Sequence, residues 1–190
     1  MGLKTLTAIL LLLSSNYLFA QNENPEKDKT SNGSASFIAE AGGPGIAFSA
    51  NYDNRFKASR FGWGGRVGVG FVSAYDDYYD PVTGIYYGGD QQSAITFPAQ
   101  VNYIFGKSNS PHTLEVGAGF TYVSKKLNIM NFSDYYSSNS DRRSNLFGTF
   151  SFMYRRQPKN GGFSWRAGFT PLVAKSYIQP FGAVSVGYNF

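Results

Sequence analysis

Five ionisable residues sit inside runs of alternating side chains: Glu40, Arg66, Glu115, Arg155 and Arg166. Glu115, for example, falls between Leu114 and Val116, in the set that also holds Gly117, Gly119 and Thr121. In an extended chain, successive side chains point to opposite faces, so each charge lies away from its apolar neighbours. Charges enclosed together must pair, because an isolated buried charge is costly. The expected arrangement is a network in which Glu40 and Glu115 neutralise Arg66 and Arg166, with Asn51, Gln100, Asn102 and Asn189 on the same side. Two chemistries use such a set. One is salt-bridged packing that fills an interior, and the other is a gate or narrow ion path.

Other reactive groups are sparse. His112 is the only histidine, and there is no cysteine. His112 follows Pro111 in a turn, with neither a nucleophile nor an orienting acid placed beside it, as acyl-transfer chemistry requires. A transition-metal site would need more His or Cys ligands. No enzyme activity, cofactor or metal is expected. GWGGRVGVG (62–70) is rich in glycine but lacks the lysine and helix of a phosphate loop. The segment 75–92 mixes Asp76, Asp77, Asp80 and Asp90 with Tyr75, Tyr78, Tyr79, Tyr86 and Tyr87, without EF-hand spacing. It reads as a solvated loop with interfacial tyrosines, or as a sugar or Ca²⁺ site. Segment 125–143 repeats the theme with Asp134, Tyr135 and Tyr136.

The elements that carry these residues are strands. FGAVSVGYNF (181–190) sets Val184, Val186, Tyr188 and Phe190 against Ala183, Ser185, Gly187 and Asn189. The aromatic face needs an apolar solvent, and the small polar face cannot build a bulky core. Working back in the same register gives strands at about 180–190, 162–173, 144–156, 113–124, 93–106, 61–73, 46–52 and 34–41. Reversals fall at 174–179, 157–161, 125–143, 107–112, 74–92, 53–60 and 42–45. A single bent strand over 34–52, bulged at the glycines, is the alternative; it leaves seven strands, which do not close in the usual way. Eight strands put both termini on one side and the two longest loops on the other. Pro98, Pro171 and Pro180 are placed near strand ends, and no proline is expected in mid-strand. A soluble ligand-binding barrel would need the opposite faces, large apolar residues inward and polar ones outward.

The first residues differ from the rest. Lys4 precedes an apolar run, Leu6 to Leu13, and Ala20 offers a small residue for cleavage. Residues 1–20 read as a signal peptide. Residues 21–33, QNENPEKDKTSNG, read as a disordered leader. The formal charge is +5, but the basic residues fall in scattered pairs and no nucleic-acid partner is expected. Lys125, Lys126, Arg142 and Arg143 flank the second long loop. Arg55, Lys57, Arg60, Lys107, Arg156 and Lys159 gather at the opposite rim.

These residues carry a family likeness. GGPGIAFSANYDNRF (42–56), GWGGRVGVGF (62–71), FPAQVNYIFGK (97–107), LEVGAGFTY (114–122), YRRQPKNGGFSWRAGFTPL (154–172) and the final GYNF resemble the small outer-membrane β-barrel proteins of Bacteroidetes-type bacteria. The resemblance implies an all-β fold: an eight-stranded antiparallel up-and-down transmembrane β-barrel over 34–190, preceded by the signal peptide and a periplasmic leader. It implies export to the bacterial outer membrane as a monomer with a structural or surface-interaction role. A narrow or gated channel and a lipid-modifying enzyme are the other functions such a barrel can serve. It implies partners in outer-membrane lipid and in the barrel-assembly machinery at Tyr188 and Phe190. By their rim positions, Lys125, Lys126, Arg142 and Arg143 are placed to meet lipopolysaccharide phosphates and the inner-rim cations anionic headgroups; the alternative is anchoring and solubility without specific sites.

Overall fold

A computed structural model of the chain describes residues 33–75, 78–80, 82–88, 91–127, 144–174 and 177–190. In chain order these form β1 (Ala35–Gly42), a 3-10 turn (Gly43–Gly45), β2 (Phe48–Arg55), β3 (Gly62–Tyr75), β4 (Tyr78–Tyr79) and β5 (Tyr86–Tyr87). β6 (Gln91–Gly106), β7 (His112–Leu127), β8 (Ser144–Arg156), β9 (Gly162–Phe169), β10 (Leu172–Ala174), β11 (Tyr177–Gln179) and β12 (Gly182–Asn189) follow. β4 and β5 make a separate small hairpin. All the other strands form one antiparallel sheet whose last member returns to the first. The result is a closed eight-stranded barrel. β9 with β10, and β11 with β12, each make one wall.

The break within those two walls has a chemical cause. The register that joins Gly182 to Phe169 and Leu172 to Gln179 sets Pro171 opposite Pro180. Neither has an N–H to donate, so the ladder lapses there. Flanking bonds bridge the gap, from Thr170 N–H to the Phe181 carbonyl at 2.6 Å and from Phe150 N–H to the Pro171 carbonyl at 3.1 Å. The expected loop 174–179 is therefore largely strand. Pro98 also departs from expectation, since it lies within β6. It pairs with Thr121 on β7, while its β3 side shows a gap between the Val67–Ala99 and Gly70–Thr96 pairs. The missing N–H falls on that side.

Period-2 sequence gives the barrel two unlike surfaces. Phe37, Trp63, Val67, Val101, Phe120, Phe152, Trp165 and Val186 point outward with many other large apolar side chains. The inward set is buried and polar, and includes Ser36, Glu40, Asn51, Gln100, Asn102, Thr149, Ser151 and Ser185. Inward glycines leave volume for their long polar neighbours. At Gly68 a Cβ would collide with Asn51 Oδ1, and at Gly64 with Arg55 Cζ.

Residues 34–52 are two strands, not one bent strand: β1 and β2 pair from Ala35 with Asn54 to Ala41 with Phe48. β2 is longer at its end than the sequence suggested, and takes in Asp53 and Arg55 in place of a turn. The connection between β1 and β2 also differs from a simple reversal. Gly43, Pro44 and Gly45 are buried. The turn folds into the lumen, where Thr96 and Thr121 donate hydroxyl bonds to the Gly45 and Pro44 carbonyls at 2.9 and 2.5 Å. Gly42 and Gly43 have φ of 74° and 70°, a region open to glycine. Ile46 has φ 76° and ψ −80°, an outlier for a β-branched residue, of order 1–3 kcal/mol. Its side chain, expected outward beside Phe48, packs inside with Val72, Ala94, Val123, Phe147 and Leu172. Burial in that apolar cluster offsets the strained backbone.

β1 and β12 close the barrel with Ala39 opposite Val186 and Ala41 opposite Val184. Ala35 and Phe190 exchange two more backbone bonds, at 3.2 and 2.9 Å. The chain has no cysteine, so the pairing can be read by cross-linking. The double variant Ala39→Cys/Val186→Cys is expected to form an intramolecular disulfide on mild oxidation, seen as a mobility shift reversed by reductant. Ala39→Cys paired with Tyr188→Cys, one step out of register, should not. Equal cross-linking of both pairs would mean that this register is wrong.

Candidate functional site

The polar lumen contains four guanidiniums and three carboxylates, all buried: Arg55, Arg66, Arg155, Arg166, Glu40, Asp53 and Glu115. Glu115, 1% exposed, is the hub. Its Oε1 accepts from Arg66 and, at 2.8 Å, from Arg166 Nη1, while Oε2 accepts from Arg155 Nη1 at 3.2 Å. Arg166 also bonds Glu40, and its Nε donates to Ser185 Oγ at 2.6 Å. Asp53 is the second hub. It pairs with Arg55, and with Arg155 Nη1 at 2.8 Å. Asn102 links the two hubs, donating Nδ2 to Asp53 Oδ1 at 3.2 Å and to Glu115 Oε1 at 3.5 Å, and its Oδ1 accepts from Arg55 Nη2 at 2.6 Å. Arg155 Nη2 reaches Asn189 Oδ1 at 3.0 Å and Ser36 Oγ at 3.3 Å. Gln100 accepts from Arg66 Nη1 at 3.3 Å and donates to Thr149 Oγ1 at 3.2 Å. Every wall of the barrel supplies a member.

The five charged residues expected inside are thus brought together, with Glu40 on Arg166 and Glu115 on both Arg66 and Arg166. Asp53 and Arg55 were missed. Arg55, expected at the rim, donates Nη1 to the Gly62 carbonyl at 3.1 Å from within the lumen. The alternation Ser49, Asn51, Asp53, Arg55 already carried the signal. Four cations facing three anions leave one formal positive charge inside. Arg66 Nε, Glu40 Oε1 and Asn51 Oδ1 have no hydrogen-bond partner among the described residues.

Buried residues lie at both ends of this network among the described residues. At the end away from the termini, the inward turn and its apolar cluster lie over it. At the termini end, Gln157 is buried and donates Nε2 to the Arg60 carbonyl at 2.9 Å.

The remaining candidates are scattered. Lys125 and Lys126 lie in β7 rather than in a loop, and Lys125 is exposed. Arg142, Arg143, Asp76, Asp77, Asp90, Asp134, Tyr135 and Tyr136 lie outside the described residues. Asp80 accepts from Val82 N–H at 2.9 Å and Thr83 Oγ1 at 2.8 Å. Those two bonds, the Val82 N–H foremost, hold its carboxyl below the ordinary range. No group of three His, Cys or acidic residues with metal-binding geometry occurs among the described residues. His112 begins β7 instead of lying in a turn; it is exposed, and its Nδ1 bonds the Tyr154 hydroxyl. Tyr188 and Phe190 are exposed on the outer wall, with the Phe190 ring 5.5 Å from Phe37.

No family model matches the chain, and no curated protein matches it. Two solved structures are similar. One is the N-terminal β-barrel domain of Pseudomonas aeruginosa OprF, at 13% identity and TM-score 0.47, covering 84% of this chain and 99% of that one. The other is the Yersinia pestis outer membrane protein Ail in a phospholipid bilayer nanodisc, at 15% identity and TM-score 0.47, covering 83% of this chain and 99% of that one. At these values neither bears on what this chain does.

Removing the Glu115 charge would take a carboxylate partner from three buried guanidiniums, of which Arg166 keeps Glu40 and Arg155 keeps Asp53. Glu115→Gln is expected to destabilise the barrel by about 3–5 kcal/mol, the usual result of breaking a buried ion pair on one side. Urea unfolding of the refolded protein measures this. Lys57→Gln, at an exposed turn position, should stay within about 0.5 kcal/mol of the parent. Equal midpoints for the two variants would deny Glu115 its role as hub.

Proposed function

We propose that this protein is an integral barrel of the bacterial outer membrane with a structural or surface-interaction role, and that its lumen is sealed. The observation that carries the reading is the contrast between the two surfaces. Large apolar side chains cover the outer wall and charged ones fill the inside. Water on the outside would leave that belt without a favourable solvent, whereas hydrocarbon supplies one. The strands pair around a closed ring in which the first strand meets the last, as a spanning sheet requires. Trp63, Tyr103, Tyr154, Trp165 and Tyr188 cluster on the outer wall towards the termini end, where an interfacial aromatic girdle would lie.

Within this reading the termini face the periplasm, after export directed by residues 1–20. The likeness to Bacteroidetes-type barrels belongs to the same proposal. Lys125 and Lys126 then stand at the outer leaflet, where lipopolysaccharide phosphates are their natural partners, with Arg142 and Arg143 beyond them in sequence. Tyr188 and Phe190 present the terminal strand to the assembly machinery. The barrel acts as a monomer and is not an enzyme. A solute or ion channel would need the Gly42–Ala47 turn to withdraw and the Arg–Glu network to part. The seal at both ends speaks for an anchor that displays its loops.

Membrane fractionation with a gel shift between heated and unheated samples tests the barrel. The protein is expected in the membrane fraction with heat-dependent mobility, and recovery as soluble protein would defeat the proposal. In planar bilayers the parent is expected to show no steady conductance. Ile46→Asp, which places a charge in the apolar cluster that holds the turn, is expected to open a measurable current. Steady current through the parent would instead favour the channel.

A further inference from the structure

At the termini end of the outer wall, three basic or imidazole side chains stand in a row. His112 pairs directly across the strands with Arg156, and Arg156 with Trp165. Lys107 follows the Gly106–Thr113 pair and so continues the row beside His112. Lys107, His112 and Arg156 are exposed. They share the outward face with Phe105, Leu114, Tyr154 and Trp165, all of which are also exposed.

The row is braced. Arg60 Nη2 donates to the carbonyls of Lys107, Ser108 and Ser110 at 3.2, 2.7 and 2.9 Å. Lys159 Nζ bonds Asn109 Oδ1 at 2.7 Å, and Gln157 N–H bonds the Pro111 carbonyl at 2.9 Å. The turn between Lys107 and His112 is thus held from both neighbouring turns. The Tyr154 hydroxyl engages His112 Nδ1, and the Tyr154 ring lies 5.4 Å from Trp165. The Arg156 guanidinium has no hydrogen-bond or ion-pair partner among the described residues. No described Asp or Glu side chain pairs with the row. Glu40, Asp53 and Glu115 are inside the barrel, and Asp80 is in a loop at the far end. Among the described residues the row has no ion-pair partner, so it presents positive charge to an anionic ligand.

We propose that Lys107, His112 and Arg156, with Tyr154 and Trp165 beneath them, form a site for the phosphate of an anionic phospholipid. Trp165 and Tyr154 take the glycerol and upper acyl region, and the three basic groups take the phosphate oxygens. The proposal rests on the membrane-spanning reading above, which sets this row at the level of inner-leaflet headgroups.

The test uses the full refolded barrel in nanodiscs of mixed phosphatidylglycerol and phosphatidylcholine. The lipid retained after gentle detergent extraction is quantified by mass spectrometry. The parent is expected to retain phosphatidylglycerol in excess of its share of the disc. Arg156→Gln and Lys107→Gln should each lower that excess about fivefold, the worth of one cation at an anionic surface. Lys57→Gln, an exposed cation at the same end but outside the row, should lower it less than either, and excess inorganic phosphate should leave it unchanged. Retention in the disc's own ratio would overturn the site, as would an equal loss in Lys57→Gln. Displacement by inorganic phosphate would make it a site for free phosphate, not lipid. Failure of the parent to enter discs of any composition would instead refute the membrane-spanning reading.

Discussion

The Glu115 carboxylate draws protons from three strands at once, with Arg66, Arg155 and Arg166 converging on its two oxygens. A barrel of this size has an interior just wide enough for side chains. Something must fill it, and here the filling is ionic. An ionic core is a weak source of net stability, because desolvation cancels most of the attraction between the charges. Its value lies in position. Long side chains tied at both ends fix the spacing and register of the walls that carry them, and polar satisfaction at Asp53 and Asn102 extends this to β2 and β6.

The two ends of the lumen are closed by different physics. At the termini end the buried Gln157 side chain donates a hydrogen bond to the Arg60 carbonyl. At the far end an apolar cluster packs around Ile46, whose backbone is held in a conformation it would not choose. Two flexible glycines lead the chain inward, and two threonine hydroxyls from across the barrel hold it there. The strain at Ile46 is local, and the contacts that oppose it come from five other segments of the chain.

Much of this was legible in the sequence, because the signal was one of period. Tyr188 and Phe190 set a register that carried correctly to Glu40, Arg66, Glu115, Arg155 and Arg166. Reading failed where local chemistry overrode the period. Asp53-Asn54-Arg55 looks like a turn because those residues favour turns, yet the inward positions continue through Asp53 and Arg55. Ile46 shares parity with Phe48, and nothing local says that the glycines before it would let the chain cross from one face to the other. Pro98 was displaced in the reading to a strand end, since the gap it makes on the β3 side is invisible without the pairing. The apolar cluster could not be foreseen. Val72, Val123 and Phe147 belong to the inward set, and only the infolded turn gives them company.

The partners in the ionic core are distant along the chain. Arg166 meets Glu40 across 126 positions, and Arg155 meets Ser36 across 119. Until the last strand reaches the first, the curling sheet carries guanidiniums and carboxylates that lack full sets of partners. Such a sheet is poorly soluble in hydrocarbon, since each unmatched ion keeps its demand for water. Neutralisation is complete only when the ring shuts. On the membrane-spanning reading, the same contacts that hold the finished wall would tie assembly to closure: an open intermediate would stay at the aqueous boundary, and passage into lipid would accompany closing of the ring.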